Sequence, residues 1–358
     1  MSAALEFLWT HITGKTHLPT ASLEGSVIIV TGANRGLGIE TALHLARLNP
    51  AKLILAVRDL ATGEKASARI EASTEFKGEI DIWTLDLASF ESVKSFALKV
   101  NALERLVSPD PPPRSFLAGA DLVLLISIVF IKQDILVENA GIMSTTFKKT
   151  SDNWERTLQV NGLSTGLLGL LSLPALRRTV ALPPPFPGST IKPHLTIVGS
   201  EVHAWAAFKE SKVPGSTLEA LNSEEHANIH DRYNVTKLIS LFMARKIAAL
   251  PASEGVVVNC INPGLCKSDF RADLPTPVAW LMNKIAWSAE AGSMNIVWGA
   301  VEAPTSGAYI STCSEIAPSA FSTSEEGIAL ENKLWSEMSE VWQKVAPSVV
   351  EVLGPNGS

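Results

Sequence analysis

The chain has 358 residues, 46% hydrophobic and 18% charged, with a formal net charge of -6. That suffices for one large domain or two small ones with a sizeable core, and the lack of any dense Lys/Arg cluster argues against a nucleic-acid partner. The cysteines, Cys260, Cys266 and Cys313, are odd in number and irregular in spacing; they suit neither a disulfide framework nor a metal site, and a reduced cytoplasmic setting fits best.

The N-terminal stretch 1–21 has no basic leader and no long apolar core, and reads as a short amphipathic lead-in. From residue 26 onward, buried runs alternate with helical spacing. Strands are expected at 26–31, 52–57, 80–85, 134–137, 195–199, 255–260 and 307–310. Helices are expected at 39–48, 61–73, 89–106, 152–173 and 233–250. Such alternation implies an α/β fold with a parallel sheet covered on both faces. Ligands of such sheets bind beyond the carboxyl ends of the strands. The loops after Thr31, Val57, Leu85, Val137, Gly199 and Cys260 therefore face the site.

The first of these loops reads TGANRGLG, residues 31–38. Gly32, Gly36 and Gly38 let the backbone turn tightly and approach a pyrophosphate, which the following helix N-terminus attracts. Asn34, Arg35 and Leu37 fill the rest of this cofactor loop. Strand two ends in Val57-Arg58-Asp59. An acidic residue there grips a ribose 2′-hydroxyl, whereas arginine accommodates a 2′-phosphate. Arg58 comes first and Arg35 lies nearby; two guanidiniums suit a phosphate dianion and favour NADP(H) over NAD. Asp86, after strand three, suits either the adenine amine or a helix cap.

At the chemical end, Tyr233 and Lys237 open a helix four residues apart and share one face. A nearby ammonium favours the phenolate and makes tyrosine a usable general acid or base. Ser200 follows a strand at the same end, where a hydroxyl can hold a carbonyl oxygen. Asn161 lies inside a long helix, as a packing residue or part of a polar relay. His203 reads as a surface-loop residue.

TGANRGLG, ENAG (138–141), Asn161, Ser200, YNVTK and NPGLCKS together resemble the classical short-chain dehydrogenase/reductase family over residues 22–312. The segments VRDLATGEKA and GAYIS resemble its retinol-dehydrogenase-like branch, especially fungal secondary-metabolite tailoring members. The resemblance implies a Rossmann-type, doubly wound single domain, with 313–358 as a C-terminal helical extension. It implies a tetrad of Asn161, Ser200, Tyr233 and Lys237: Tyr233 exchanges the proton, Ser200 positions the oxygen, Lys237 tunes the tyrosine and binds ribose, and Asn161 holds a water. Asn139, Ala140 and Gly141 after strand four, and Pro263, Gly264 and Ser268 after strand six, would contact the cofactor. Glu138 departs from the family's usual asparagine. The long stretch between Ser200 and Tyr233 would form a lobe beside a hydrophobic small-molecule substrate. A non-catalytic binding protein on the same fold and a membrane-attached reductase are the alternatives, and a homo-oligomer is left open.

One segment does not fit. Residues 107–133 hold three consecutive prolines and an apolar run with Asp121 among it, short of the roughly 20 residues that span a membrane. They interrupt a helix-to-strand connection, normally about 2–6 residues long, at the end of the sheet away from the cofactor. Deleting them joins ALERL to DILVENAG. Val107-Ser108 can be encoded GTAAGT and Gln133 CAG, the usual ends of an intron. The segment is accordingly expected to be a translated intron.

Overall fold

A computed structural model describes residues 13–106, 129–131, 134–184, 189–267 and 286–354. Residues 107–128 and 132–133 of the atypical segment lie outside the described residues, as does Ser268.

The frame is an eight-stranded sheet. Strands β1 (Val27–Thr31), β2 (Lys52–Val57) and β3 (Glu79–Thr84) are followed by β4 (Ile135–Glu138), β5 (His194–Val198), β6 (Val257–Asn262), β7 (Tyr309–Ser311) and β8 (Ser314–Ile316). Their spatial order is β8-β7-β6-β5-β4-β1-β2-β3. All pairs are parallel except the β7–β8 hairpin. Because β1, β2, β4, β5 and β6 are covered on both faces, their side chains are apolar almost without alternation. β3 is half-exposed because it forms the sheet edge.

Helices α1 (Gly36–Arg47), α2 (Leu60–Ser73) and α6 (Ala289–Val301) pack on one face. On the other lie α3 (Phe90–Asn101), α4 (Ser164–Val180), α5 (Arg232–Ala248) and α7 (Glu325–Val345). This is the doubly wound α/β arrangement. The chain leaves β3 at one edge and returns to β4 beside β1, so the carboxyl ends of β1 and β4 diverge into a crevice.

Two helices depart from expectation. The one expected at 89–106 stops at Asn101, and Glu104–Leu106 instead pairs antiparallel with Val129–Ile131. The one expected at 152–173 starts at Arg156, where the Glu155 carboxylate accepts from the Thr157 and Leu158 N–H groups at 2.9 Å. It then passes through a π-helical turn, Gln159–Leu163, and runs on through Pro174 to Val180. Among the described residues, no helix is long and apolar enough to cross a membrane.

Candidate active site

The glycine loop owes its shape to two left-handed residues, Gly32 at φ +66° and Gly36 at φ +55°. A Cβ on Gly38 would come within 2.2 Å of the Gly32 carbonyl, so only glycine lets α1 start this close to β1. A Cβ on Gly36 would meet nothing within 4 Å, so the space beyond it is open. The α1 N-terminus has no side-chain cap and no acidic residue in its first turn, which leaves its N–H groups and positive dipole end available to an anion. Leu37 packs toward Gly292 of α6. The Asn34 amide donates to the Thr62 hydroxyl at 3.0 Å and ties the loop to α2.

The residues after β4 lie against this loop. Asn139 donates to the Thr31 carbonyl and the Ala140 N–H to the Thr31 hydroxyl, both at 2.9 Å. Ala140 also sits against Gly32. Arg35 and Arg58 are exposed, and neither has an ion-pair partner among the described residues. Asp59 is occupied as the cap of α2, accepting from the Thr62 N–H at 2.8 Å. Asp86 accepts from the Ala88 N–H at 3.0 Å in the turn before α3, while Ser89 caps that helix.

At the other side of the crevice, α5 carries Tyr233 and Lys237. Lys237 Nζ lies 5.5 Å from the Tyr233 ring centroid and donates to the Val198 carbonyl at 2.7 Å. Val198 is two residues before Ser200, so this bond draws the β5 loop toward α5. Burial lowers the Lys237 pKa to about 8. The Ser200 hydroxyl oxygen accepts from the Val202 N–H at 3.3 Å.

Asn161 is buried and its amide is engaged. Its Oδ1 accepts from the Ile142 N–H, and its Nδ2 donates to the Ile142 carbonyl, both at 2.8 Å, and to the Thr236 hydroxyl at 3.1 Å. Both amide hydrogens of the side chain are thus spent on protein partners. Gly141 sits between Asn161 and Lys237, within 3.3 and 3.9 Å of their polar atoms when a Cβ is placed on it.

Sequence reasoning missed a hub at Asn262. Its Oδ1 accepts from the Glu201 N–H at 3.1 Å and the Gly264 N–H at 3.0 Å, joining the Ser200 loop to Pro263-Gly264. Its Nδ2 reaches the Ser311 hydroxyl at 3.2 Å. The available signal was an asparagine ending an apolar strand. His203 is not a surface residue: it is buried, with Nδ1 on the Ser200 carbonyl at 2.8 Å and Nε2 accepting from the Ser319 N–H at 3.1 Å. These partners fix the neutral Nδ1–H tautomer, and burial lowers its pKa accordingly.

Arg232, next to Tyr233, is fully buried between two fully buried carboxylates, Glu155 at 2.8 Å and Glu210 at 3.2 Å. It thereby links the start of the Asn161 helix, the lobe between β5 and α5, and the start of α5. The lobe is held further by the Asp231 carboxylate, which accepts from the Ala207 and Phe208 N–H groups at 2.8 and 2.9 Å. Among the described residues no cluster of side chains suits a metal ion.

A family model described as short chain dehydrogenase matches residues 26–106. The chain is 33% identical to the short chain dehydrogenase/reductase dmxR8 of Cryptosporiopsis sp. (strain 8999), covering 96% of this chain and 98% of that one. It is 36% identical to the short chain dehydrogenase atnD of Emericella nidulans, covering 83% and 87% respectively. Among solved structures, a putative uncharacterized protein from Mycobacterium paratuberculosis superposes with a TM-score of 0.61 at 22% identity, covering 93% of this chain and 98% of that one. The Rossmann-type sheet, the glycine loop and these full-length likenesses lead to one conclusion: the chain belongs to the short-chain dehydrogenase/reductase family of oxidoreductases.

Proposed function

We propose that this chain is an NADP(H)-dependent oxidoreductase that interconverts a ketone or aldehyde and an alcohol on a hydrophobic small molecule. We place it in the cytoplasm, as a tailoring step of secondary metabolism. The observation that carries the reading is the meeting of Tyr233, Lys237, Asn161 and the glycine loop at one end of the sheet.

The crevice fits a dinucleotide. The uncapped α1 N-terminus and the open space beyond Gly36 suit a pyrophosphate. The exposed guanidiniums of Arg35 and Arg58, without an ion-pair partner among the described residues, suit a 2′-phosphate, while Asp59, the residue that would favour a free 2′-hydroxyl, is committed to α2. When bound, NADPH supplies the hydride to the substrate carbon.

The remaining steps fall to the chain's own residues. Tyr233 donates its phenolic proton to the carbonyl oxygen in reduction and withdraws it in the reverse direction. Lys237, with a pKa of about 8, keeps its charge at neutral pH and stabilises the phenolate. Ser200 receives its hydrogen bond from the Val202 N–H on oxygen, which leaves its own hydrogen for the substrate oxygen. Asn161 clamps the Ile142 backbone to Thr236 and so holds the loop after β4 against α5. Asn139, Ala140, Gly141, Pro263, Gly264 and Ser268 complete the cofactor contacts.

The test is NADPH oxidation by the purified full chain with a panel of hydrophobic ketones and aldehydes. Tyr233→Phe is expected to cut turnover by on the order of 100-fold or more. Replacing Arg35 and Arg58 together by Ala should raise KM for NADPH and leave that for NADH nearly unchanged. Unaltered turnover in Tyr233→Phe would falsify the mechanism; a preference for NADH would overturn the cofactor assignment.

A further inference from the structure

Asn161 lies within the π turn Gln159–Leu163. There the Ser164 N–H donates back to the Gln159 carbonyl, and the Thr165 hydroxyl donates to the Val160 carbonyl at 2.8 Å. A π turn holds one residue more than the α-helix around it and persists only where its surroundings sustain it. Collapse to α-helical registry would turn the residues on either side of it by about 100° relative to each other. Asn161 would then leave Ile142 and Thr236, the contacts that hold the loop after β4 against the helix of Tyr233 and Lys237.

The turn is gripped from an unexpected place. Trp342, near the end of α7, donates its indole N–H to the Leu163 carbonyl at 2.7 Å. The ring is fully buried. It lies against Gly166, where a Cβ would come within 2.4 Å of its Cζ2, so glycine at this position admits the indole. Trp335 of the same helix meets it edge-on, with ring centroids 5.4 Å apart. Trp335 buttresses Trp342, and no bond joins it to the turn.

We propose that Trp342 is a positioning residue for the site. Through the Leu163 carbonyl it pins the π turn that places Asn161, so the C-terminal helix is part of the working geometry. This rests on the reading of Asn161, Tyr233 and Lys237 as the catalytic set. The chain of contacts runs from Trp342 to the π turn, from Asn161 to Thr236, and so to the residues on either side of Thr236 that share its helix. Each link is a buried hydrogen bond or one turn of backbone.

The experiment compares Trp342→Phe, Trp335→Phe and Tyr233→Phe in the full chain, well below their melting temperatures. Trp342→Phe keeps an aromatic ring and removes the donor. It is expected to bind NADPH as wild type does, with kcat lowered by about tenfold or more through misplacement of the reacting groups. Its pH–kcat profile should shift, because the proton-transfer geometry is altered. Trp335→Phe should lose stability and retain kcat. A folded Trp342→Phe with wild-type kcat and pH profile overturns the proposal, as does an equal loss in Trp335→Phe. If Trp342→Phe does not fold, Thr165→Val removes a second pin from the same turn at nearly constant volume, and wild-type kcat there also overturns it. Should Tyr233→Phe retain turnover, the catalytic assignment itself is at fault, which is a separate outcome.

Discussion

Glu138 ends β4 with its carboxyl fully buried beside Gly169, and neither oxygen has a hydrogen-bond partner among the described residues. Burial raises its pKa well above the ordinary carboxylate value. Glu201, beside Ser200, is pushed up to about 7 by burial, partly offset by the Asn262 amide. Each group keeps its proton in the folded chain at a pH where the unfolded chain has released it. The folded state therefore binds more protons, and stability falls as pH rises. Their contribution is fully present below about pH 4.5 and is lost as pH climbs through the folded values. For Glu201 the window is about 4.5 to 7, and the loss by its upper end is on the order of 3 kcal/mol. Tm should thus decline between mildly acidic and mildly alkaline buffer. Glu138→Gln and Glu201→Gln should each flatten that decline, matching wild type in acid and exceeding it in alkali. Calorimetric scans across pH check this; a substitution effect that does not change with pH would dismiss it.

Among the elements, β2 matches its expected bounds because a run buried on both faces has sharp ends: polar Lys52 starts it and Arg58 follows it. Tyr233 and Lys237 were legible because their spacing lies within one helix. Asn262, His203 and Trp342 were not, because their partners are far away in sequence: Ser319 for His203, Leu163 for Trp342. The end of α3 was missed because Leu103 and Leu106 continue a helical spacing that no glycine or proline interrupts before Pro109. The segment beginning there is the one element whose membership of the working protein is in question. The family match ends at Leu106, and residues 107–133 follow directly. Joining Leu106 to Asp134 leaves a connection of ordinary length between α3 and β4. Asp134 is already anchored by its carboxylate on the Val27 N–H at 2.8 Å. A chain lacking residues 107–133 is expected to be soluble, with Tm equal to or above that of the full sequence, and mature transcripts should lack the corresponding nucleotides. Transcripts that all retain them, or an unfolded deletion chain, would dispose of the translated-intron reading.

Across the whole molecule, α7 connects parts of the site that are remote in the chain. Its inner face, Leu330, Leu334, Trp335, Met338 and Trp342, is buried and joins the core around α4 and α5. Arg245 of α5 bonds both oxygens of Glu331, at 3.1 and 2.5 Å. Glu337 reaches the lobe between β5 and α5: its carboxylate accepts from the Thr217 N–H at 3.0 Å, the Leu218 N–H at 2.6 Å and the Ser216 hydroxyl at 3.0 Å. A carboxylate at the start of the short helix Thr217–Leu221 satisfies N–H groups that the helix itself cannot. Glu337→Ala removes that cap at a cost of about 1–2 kcal/mol, and the loss should be local. Amide exchange should speed up at Thr217 and Leu218 and stay unchanged along α5, which Glu331 still holds through Arg245. Removing α7 altogether, by ending the chain at Thr323, should uncover an apolar face of a few hundred Å² and drive association. Hydrogen exchange read with light scattering separates the two cases: a lobe loosened alone in Glu337→Ala, and aggregation only in the truncated chain. Equal exchange at Thr217 in wild type and variant would show that the lobe is fixed by Arg232 and Asp231 without help from α7.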